Sequence, residues 1–238
     1  MLSTQPMAET NKPKSGGGCI LKLLFLILLV PCVGLAMAVF YAVQPQDLTD
    51  LGGYRSAAAK PGTHREIKAV LKNAISRGYP VTLTETEINQ WLARNLSAKQ
   101  GGLFEGRVTL KRVWVRLEDG RAEVVMERDF LGKPFTVSMY LQVARMEGPK
   151  GTTTEIERHG GPYNKDFPNP PQGGRFGKLV VPQGFLLLVM PAYTKLAAVF
   201  PEEIELAFRE MSRITIENDR LILDPREPMG QQGMPKVF

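Results

Sequence analysis

The longest apolar stretch of the chain runs from Ile20 to Val43 and contains one charged residue, Lys22. With a helical rise of about 1.5 Å per residue, a stretch of this length crosses a hydrocarbon core of about 30 Å. Pro31 and Gly34 are compatible with such a span, because neighbouring groups satisfy the few backbone bonds that they free. The pattern therefore predicts a transmembrane anchor over residues 19–43.

The same stretch has features of a cleaved signal peptide. Ala36-Met37-Ala38 has the small-x-small form of a signal peptidase site, and Lys12 and Lys14 supply a basic region before it. The apolar run continues to Val43, well beyond a usual signal-peptide core of about 7 to 15 residues, and this favours the anchor. The lysines on its N-terminal side predict a cytoplasmic N-terminus and an exported remainder.

After the anchor, two segments have apolar residues at helical spacing, and each predicts an amphipathic helix. A capping-box pattern at Thr63–Glu66 opens the first predicted helix, and Gly78 ends it. A second capping box, Thr84–Glu87, opens a helix with Trp91 on its apolar stripe.

From Gly106 the apolar residues alternate, which predicts strands. A change of phase predicts a bulge near Lys111-Arg112, and Asp119-Gly120 predicts a hairpin turn. Leu131–Pro134 marks the next turn, and a weaker fourth strand covers Thr152–Arg158. These segments predict an antiparallel meander with one apolar face.

Residues 179–200 form the second most apolar stretch. Pro182 can open a helix there, and its first turns are apolar on every side, so we expect them to be enclosed beneath the sheet. A second membrane span is the alternative, but Gln183, Pro191 and Lys195 interrupt it. A helix from Pro201 and a closing hairpin over 213–224 complete the pattern.

The segment Gly160–Gly177 interrupts the regular pattern, since nine of its eighteen residues are Gly or Pro. A loop of this length in a compact domain is either functional or disordered. Both readings stay open, the functional one being a mobile lid or a partner contact.

Together these elements predict an α+β protein, in which a transmembrane helix is followed by a curved antiparallel sheet wrapped around a long apolar helix. The predicted organisation is a disordered cytoplasmic tail (1–18), the anchor (19–43), a tether (44–62), an exported domain (63–224) and a disordered tail (225–238).

Composition narrows the chemistry of the exported part. Both cysteines, Cys19 and Cys32, precede it, so it has neither disulfides nor thiolate ligands. The chain has two histidines, His64 and His159, and none of the common hydrolase, zinc or nucleotide-binding motifs. We therefore expect no enzyme activity, no metal and no cofactor. The net charge of +6 is too diffuse to predict nucleic-acid binding.

A methionine-containing, apolar interior predicts a groove for acyl chains, because each buried methylene contributes about 0.8 kcal/mol and methionine adapts to irregular shapes. Two arginines, Arg112 and Arg116, are the candidates to meet an anionic headgroup at its mouth. The residues predicted to line the groove are Val113, Val115, Leu117, Val124, Met126, Val137, Met139, Leu141, Phe185 and Leu188.

Four features of residues 80–224 together resemble a known family. They are, in order, Leu83-Thr84-Glu85 leading into Ile88-Asn89-Gln90-Trp91-Leu92, a meander, Gly177-Lys178-Leu179-Val180-Val181-Pro182 leading into an apolar helix, and a final hairpin. With the N-terminal span, this order resembles the YpmS-like membrane-anchored proteins of bacteria and the wider tubular lipid-binding (TULIP-type) envelope proteins. The long Gly/Pro loop and Pro191 depart from that pattern.

The resemblance implies a curved sheet around a long helix and, for the TULIP-type proteins, an acyl-chain cavity. The resulting hypothesis is a single-pass protein of the bacterial inner membrane whose periplasmic or extracytoplasmic domain binds or shuttles lipid. The expected partners are the bilayer and a lipid or acyl-chain ligand. The alternative is a non-catalytic structural or assembly partner in an envelope complex, bound to another envelope protein.

Overall fold

The computed structural model describes residues 17–54, 65–96, 108–148, 151–158 and 172–226. The chain divides into two compact units, residues 1–40 and 41–238. Helix α1, Gly17–Val43, includes a segment, Lys22–Val43, that is long and apolar enough to cross a membrane. This helix is compatible with a single-pass membrane anchor.

The described part of the second unit is an α+β domain with antiparallel sheets, so the predicted class is confirmed. The larger sheet has the order β2-β3-β4-β6-β7, with β5 also paired to β4, and the smaller has the order β1-β9-β8. The elements in chain order are α2 (Ile67–Arg77), β1 (Val81–Thr84), α3 (Glu85–Asn95), β2 (Val108–Glu118), β3 (Arg121–Phe130), β4 (Lys133–Gly148), β5 (Gly151–Arg158), β6 (Gln172–Phe176), β7 (Leu179–Pro182), a 3-10 helix (Gln183–Leu188), α4 (Met190–Ala197), α5 (Pro201–Phe208), β8 (Arg213–Glu217) and β9 (Arg220–Asp224).

Some predicted features lie outside the described residues. They are the tails 1–16 and 227–238, the tether residues 55–62, the capping residue Thr63, both histidines and the loop residues 159–171. The predicted capping box at Thr63–Glu66 is nevertheless wrong, because α2 begins at Ile67 and its N-cap residue, Glu66, makes no side-chain cap hydrogen bond. The remaining part of the predicted Gly/Pro loop is regular, because Gln172–Phe176 forms β6 and pairs with β4 and β7.

The predicted meander of β2, β3, β4 and β5 is confirmed. The pairing of β2 with β3 shifts between Leu110 and Arg112, which confirms the predicted bulge. Beyond the bulge, successive side chains of each strand point to opposite faces of the sheet. One face, which we call the cavity face because it borders an apolar cavity, carries Val113, Val115, Leu117, Ala122, Val124, Met126, Val137, Met139 and Leu141. The other, which we call the covered face because residues 44–54 pack on it, carries Trp114, Arg116, Glu123, Val125, Thr136, Ser138 and Tyr140.

Residues 44–54, predicted as part of a tether, pack against the covered face, and we call them the covering segment. Leu48 and Leu51 form a small core with Trp114 and Val125, separate from the main core. The tether prediction failed here because Leu48 and Leu51 are too few to show a period, although both are buried.

Two polar side chains of α3 join this helix to both β2 and the covering segment. The carboxylate of Glu85 accepts from the backbone N–H groups of Gly52, at 2.6 Å, and Leu117, at 2.8 Å. Asn89 donates to the carbonyl oxygens of Gly52 and Val115, and its amide oxygen accepts from the Val115 N–H at 2.7 Å. We call Glu85 and Asn89 the α3 clamp.

The N-terminus of α3 confirms the predicted capping box. Thr84 Oγ1 accepts from the backbone N–H of Glu87, and the Glu87 carboxylate accepts from the backbone N–H of Thr84 at 2.9 Å. The cap fixes where the helix begins, and therefore which face carries Glu85 and Asn89.

The predicted long apolar helix after Pro182 is wrong. Its place is taken by the 3-10 helix and by α4, which starts at Met190 and has Pro191 in its first turn. Phe185, Leu187 and Leu188 are exposed by 54, 64 and 72%, so the expected enclosure beneath the sheet is also wrong. Proline lacks the N–H that a continuous helix needs, and this accounts for the division into two short pieces.

Replacing Asn89 by Ala should destabilise the domain by about 3 kcal/mol, because buried backbone groups of β2 and of the covering segment lose their partners. Denaturant unfolding of the full chain in detergent measures this change. Asn73→Ala on the exposed side of α2 is the matched control and should be nearly neutral. Equal stabilities of the two variants would contradict the role of the clamp.

The carboxylate of Asp224 accepts hydrogen bonds from the Arg226 and Arg213 side chains at 2.5–2.8 Å, and these hold its pKa well below the ordinary value. A depressed folded-state pKa stabilises the fold above the unfolded pKa of about 3.9, and this contribution is lost as the pH falls towards the folded pKa. Asp224→Asn should therefore destabilise the chain at pH 7 and have a smaller effect below about pH 4. Unfolding of both chains across this pH range, with Glu155→Gln as the exposed control, tests the expectation.

Candidate functional site

An apolar cavity of about 290 Å³ lies between the cavity face of the large sheet, the small sheet and helices α2 to α5. Of its 25 lining residues, 24 are aliphatic or aromatic, and Glu203 is the exception. Engineered cavities of about 150 Å³ with aliphatic and aromatic walls stay dry and bind benzene. The cavity therefore suits an apolar ligand.

The cavity exists because short helices cover one face of a long sheet. Helices α4 and α5 have eight residues each, and prolines at positions 191 and 201 begin them. Their contributions to the lining include the small residues Ala197 and Ala207. Small side chains on short helices leave the apolar face of the sheet incompletely filled.

An aromatic pair supports the wall between α3 and α5. The rings of Trp91 and Phe200 have centroids 4.8 Å apart at an interplanar angle of 52°, and both rings line the cavity. This tilted geometry is favourable for aromatic pairs. Trp91 is thus a built-in fluorescent reporter of the cavity.

The one charged lining residue lies where α5 meets α2. Glu203 is next to Glu202, which accepts a hydrogen bond from Lys68 of α2 at 2.5 Å. This bond raises the pKa of Lys68 and lowers the pKa of Glu202, so both stay charged. Charges of both signs therefore lie beside the one charged residue of the lining.

The structure brings six of the ten predicted groove residues to the cavity wall, and they belong to three neighbouring strands: Val113, Val115, Leu117, Val124, Met139 and Leu141. Met126 and Val137 lie on the same face but are fully packed in the core. Phe185 and Leu188 are exposed on the 3-10 helix and do not line the cavity. Sequence reasoning missed the helical walls, above all Trp91, although its position on the apolar stripe of α3 was a signal.

The two predicted headgroup contacts lie on the opposite side of the sheet. Arg116 bonds to Glu123 at 2.8 Å and to Asp50 of the covering segment at 3.0 Å. The guanidinium of Arg112 lies 5.8 Å from the ring centre of Trp114, another residue of the covered face. The prediction that these arginines flank the mouth of the groove is therefore wrong, because they alternate with the cavity-facing residues of β2.

A buried carboxylate organises the covered face. Glu123 is fully buried, and besides Arg116 it accepts a hydrogen bond from Ser138 Oγ at 2.5 Å. Arg175 of β6 lies 3.6 Å from the same carboxylate and donates to Tyr140 Oη at 2.7 Å. These partners compensate the buried negative charge of Glu123, so we interpret the network as one that stabilises the fold.

The hydroxyl of Tyr193 connects the cavity wall to the sheet. It lies 3.0 Å from the carbonyl oxygen of Val124 and 3.1 Å from that of Val137, and it donates to this pair. Complete burial raises the pKa of Tyr193 well above its ordinary value, so the hydroxyl stays protonated. It positions α4 over β3 and β4.

Among the described residues, no group of three or more His, Cys, Asp or Glu side chains is placed to hold a metal ion. Comparisons of the chain with protein families, with curated proteins and with solved structures find no match.

Tyr193→Phe should destabilise the domain by about 1–2 kcal/mol, because two buried carbonyl groups lose a donor. Thermal unfolding of the full chain in detergent measures the change, and Tyr79→Phe at an exposed position is the matched control. Unchanged stability of the Tyr193 variant would show that the hydroxyl does not hold α4 in place.

Proposed function

We propose that this protein is a single-pass protein of the bacterial inner membrane, with a cytoplasmic N-terminus, whose extracytoplasmic domain binds or shuttles lipid. The observation that supports the proposal most directly is the apolar cavity of about 290 Å³. The apolar helix Lys22–Val43 and the lysines before it support the anchor and its direction. The resemblance to YpmS-like and TULIP-type proteins supports the bacterial envelope and a sheet that curves around an acyl chain.

The volume of the cavity limits how much of a lipid molecule it can hold. It has about twice the volume of a cavity that accepts one benzene ring, which corresponds to an acyl chain on the order of twelve carbons. At about 0.8 kcal/mol per buried methylene, a chain of that size gains several kcal/mol on transfer from water. One chain enters, and the rest of the lipid stays outside.

The one charged residue of the lining, Glu203, is partly exposed and interacts electrostatically with Lys68 of α2. Charged groups of both signs therefore lie there, and they do not by themselves select the polar end of a lipid.

Quenching of tryptophan fluorescence tests the proposal, because the chain has two tryptophans. Trp91 lines the cavity, whereas Trp114 is buried on the covered face. The full chain with Trp114→Phe, in phospholipid nanodiscs, should be quenched by a brominated alkanol of about twelve carbons. The matched Trp91→Phe chain should be quenched little.

A space-filling variant provides the second arm of this test. Val124→Phe places a ring in the cavity and should abolish the quenching of Trp91 while the domain stays folded. Equal quenching of the two tryptophans, or undiminished quenching in a folded Val124→Phe chain, would refute acyl binding in this cavity.

A second candidate function is a structural or assembly partner in an envelope complex. The exposed apolar side chains Phe185, Leu187 and Leu188 of the 3-10 helix favour it, since such residues commonly mark protein contacts. Under this reading the groove is filled by the protein's own side chains or by a segment of the partner, so lipid is not its ligand.

A further inference from the structure

The β3–β4 hairpin ends in a two-residue turn with a large apolar residue at its tip. Leu131 and Gly132 have φ angles of 51° and 80°, and Phe130 pairs with Lys133 across the turn. Leu131 is 69% exposed, and the neighbouring Phe130 is 39% exposed. We call Phe130–Lys133 the hairpin tip.

The fold itself does not require leucine at this tip. Positive φ at both turn positions defines the I′ geometry, which favours Asn, Asp and Gly. The β8–β9 turn has the same geometry with polar residues, since Asn218 and Asp219 have φ angles of 49° and 56°. Leucine at position 131 is thus unfavourable in two respects: its backbone has a positive φ angle, and its apolar side chain is exposed to water.

The hairpin tip lies at the end of the sheet where the chain enters the domain. The backbone N–H of Lys178 donates to the carbonyl of Tyr41 at 3.0 Å, and the N–H of the preceding Gly177 donates to Thr136 at 2.8 Å. Strand β4 runs from Lys133 to Thr136, so the tip is about 10 Å further along the sheet. Tyr41 belongs to the last turn of α1, the helix that can cross a membrane.

Three lysines lie at this end of the sheet. Lys133 and Lys178 are exposed, and Lys111 of β2 stays 44% exposed while it forms an ion pair with Asp129 at 2.9 Å. The Asp129 carboxylate also accepts from the Gly132 N–H of the turn at 2.6 Å, so the lysines outnumber the nearest acid. An apolar tip among lysines is the combination that binds membrane interfaces, where each lysine near anionic headgroups contributes favourably.

We propose that the hairpin tip inserts Leu131 and Phe130 into the bilayer interface at which α1 ends, with the lysines against anionic headgroups. This second contact would limit how far the domain tilts away from the membrane. It depends on the membrane anchor and is independent of any ligand in the cavity.

Fluorescent probes at two matched turns test the proposal. The full chain with Cys19→Ser and Cys32→Ser receives a nitrobenzoxadiazole probe at Leu131→Cys or, as the control, at Asn218→Cys. Both positions have positive φ, so the backbone demands are alike. In nanodiscs containing phosphatidylglycerol and nitroxide-labelled acyl chains, the probe at 131 should be quenched several-fold more strongly than the probe at 218.

Equal quenching at the two positions would overturn the proposal. A second variant separates membrane contact from folding. Leu131→Asn should raise the melting temperature of the detergent-solubilised chain, because asparagine suits the turn. A lower melting temperature would assign Leu131 a role in the fold and would also overturn the proposal.

Discussion

The domain depends on hydrogen bonds that two side chains of α3 make to a strand edge. An unpaired edge presents backbone groups that need partners. Asn89 bonds to both the N–H and the carbonyl of Val115, as a neighbouring strand would, and Glu85 accepts from the next outward N–H at Leu117. Because both side chains also bond to Gly52, one helix holds the sheet edge and the covering segment together. A Cβ at Gly52 would lie 2.7 Å from Thr86 Oγ1 and 3.1 Å from the Thr86 backbone nitrogen, so a larger residue would require α3 or its side chains to shift.

The two faces of the large sheet are stabilised by different interactions, and this difference accounts for where the cavity lies. The covered face combines a closely packed apolar group with the buried Glu123 network, and the covering segment lies directly against it. The cavity face is almost wholly apolar and meets helices of only eight residues, which leave part of it unfilled. Directional bonds fix the first face, whereas the second is held by non-directional burial, which tolerates a void.

Local signals in the sequence predicted local structure well. The Thr84–Glu87 cap, the bulge and the closing hairpin over 213–224 depend on neighbouring residues, and each is confirmed. The 3-10 helix was not predicted because a run of apolar residues indicates burial, whereas Phe185, Leu187 and Leu188 lie at the surface. The face of the sheet on which Arg112 and Arg116 lie could have been predicted from the sequence, since both alternate with Val113 and Val115. The packing of the covering segment could not, because its hydrogen bonds join residues some 90 positions apart in the chain.

The covering segment changes where the domain begins in the chain. Gln46 bonds to Thr136 and Ser138, and Leu48 shields Trp114, so the first structural residues directly follow α1. A soluble fragment cut at residue 63, where the helical pattern starts, would lack this layer and expose the pair formed by Glu123 and Arg116. A protease that cuts after Leu51 would therefore release a domain that lacks the residues covering Trp114 and Val125.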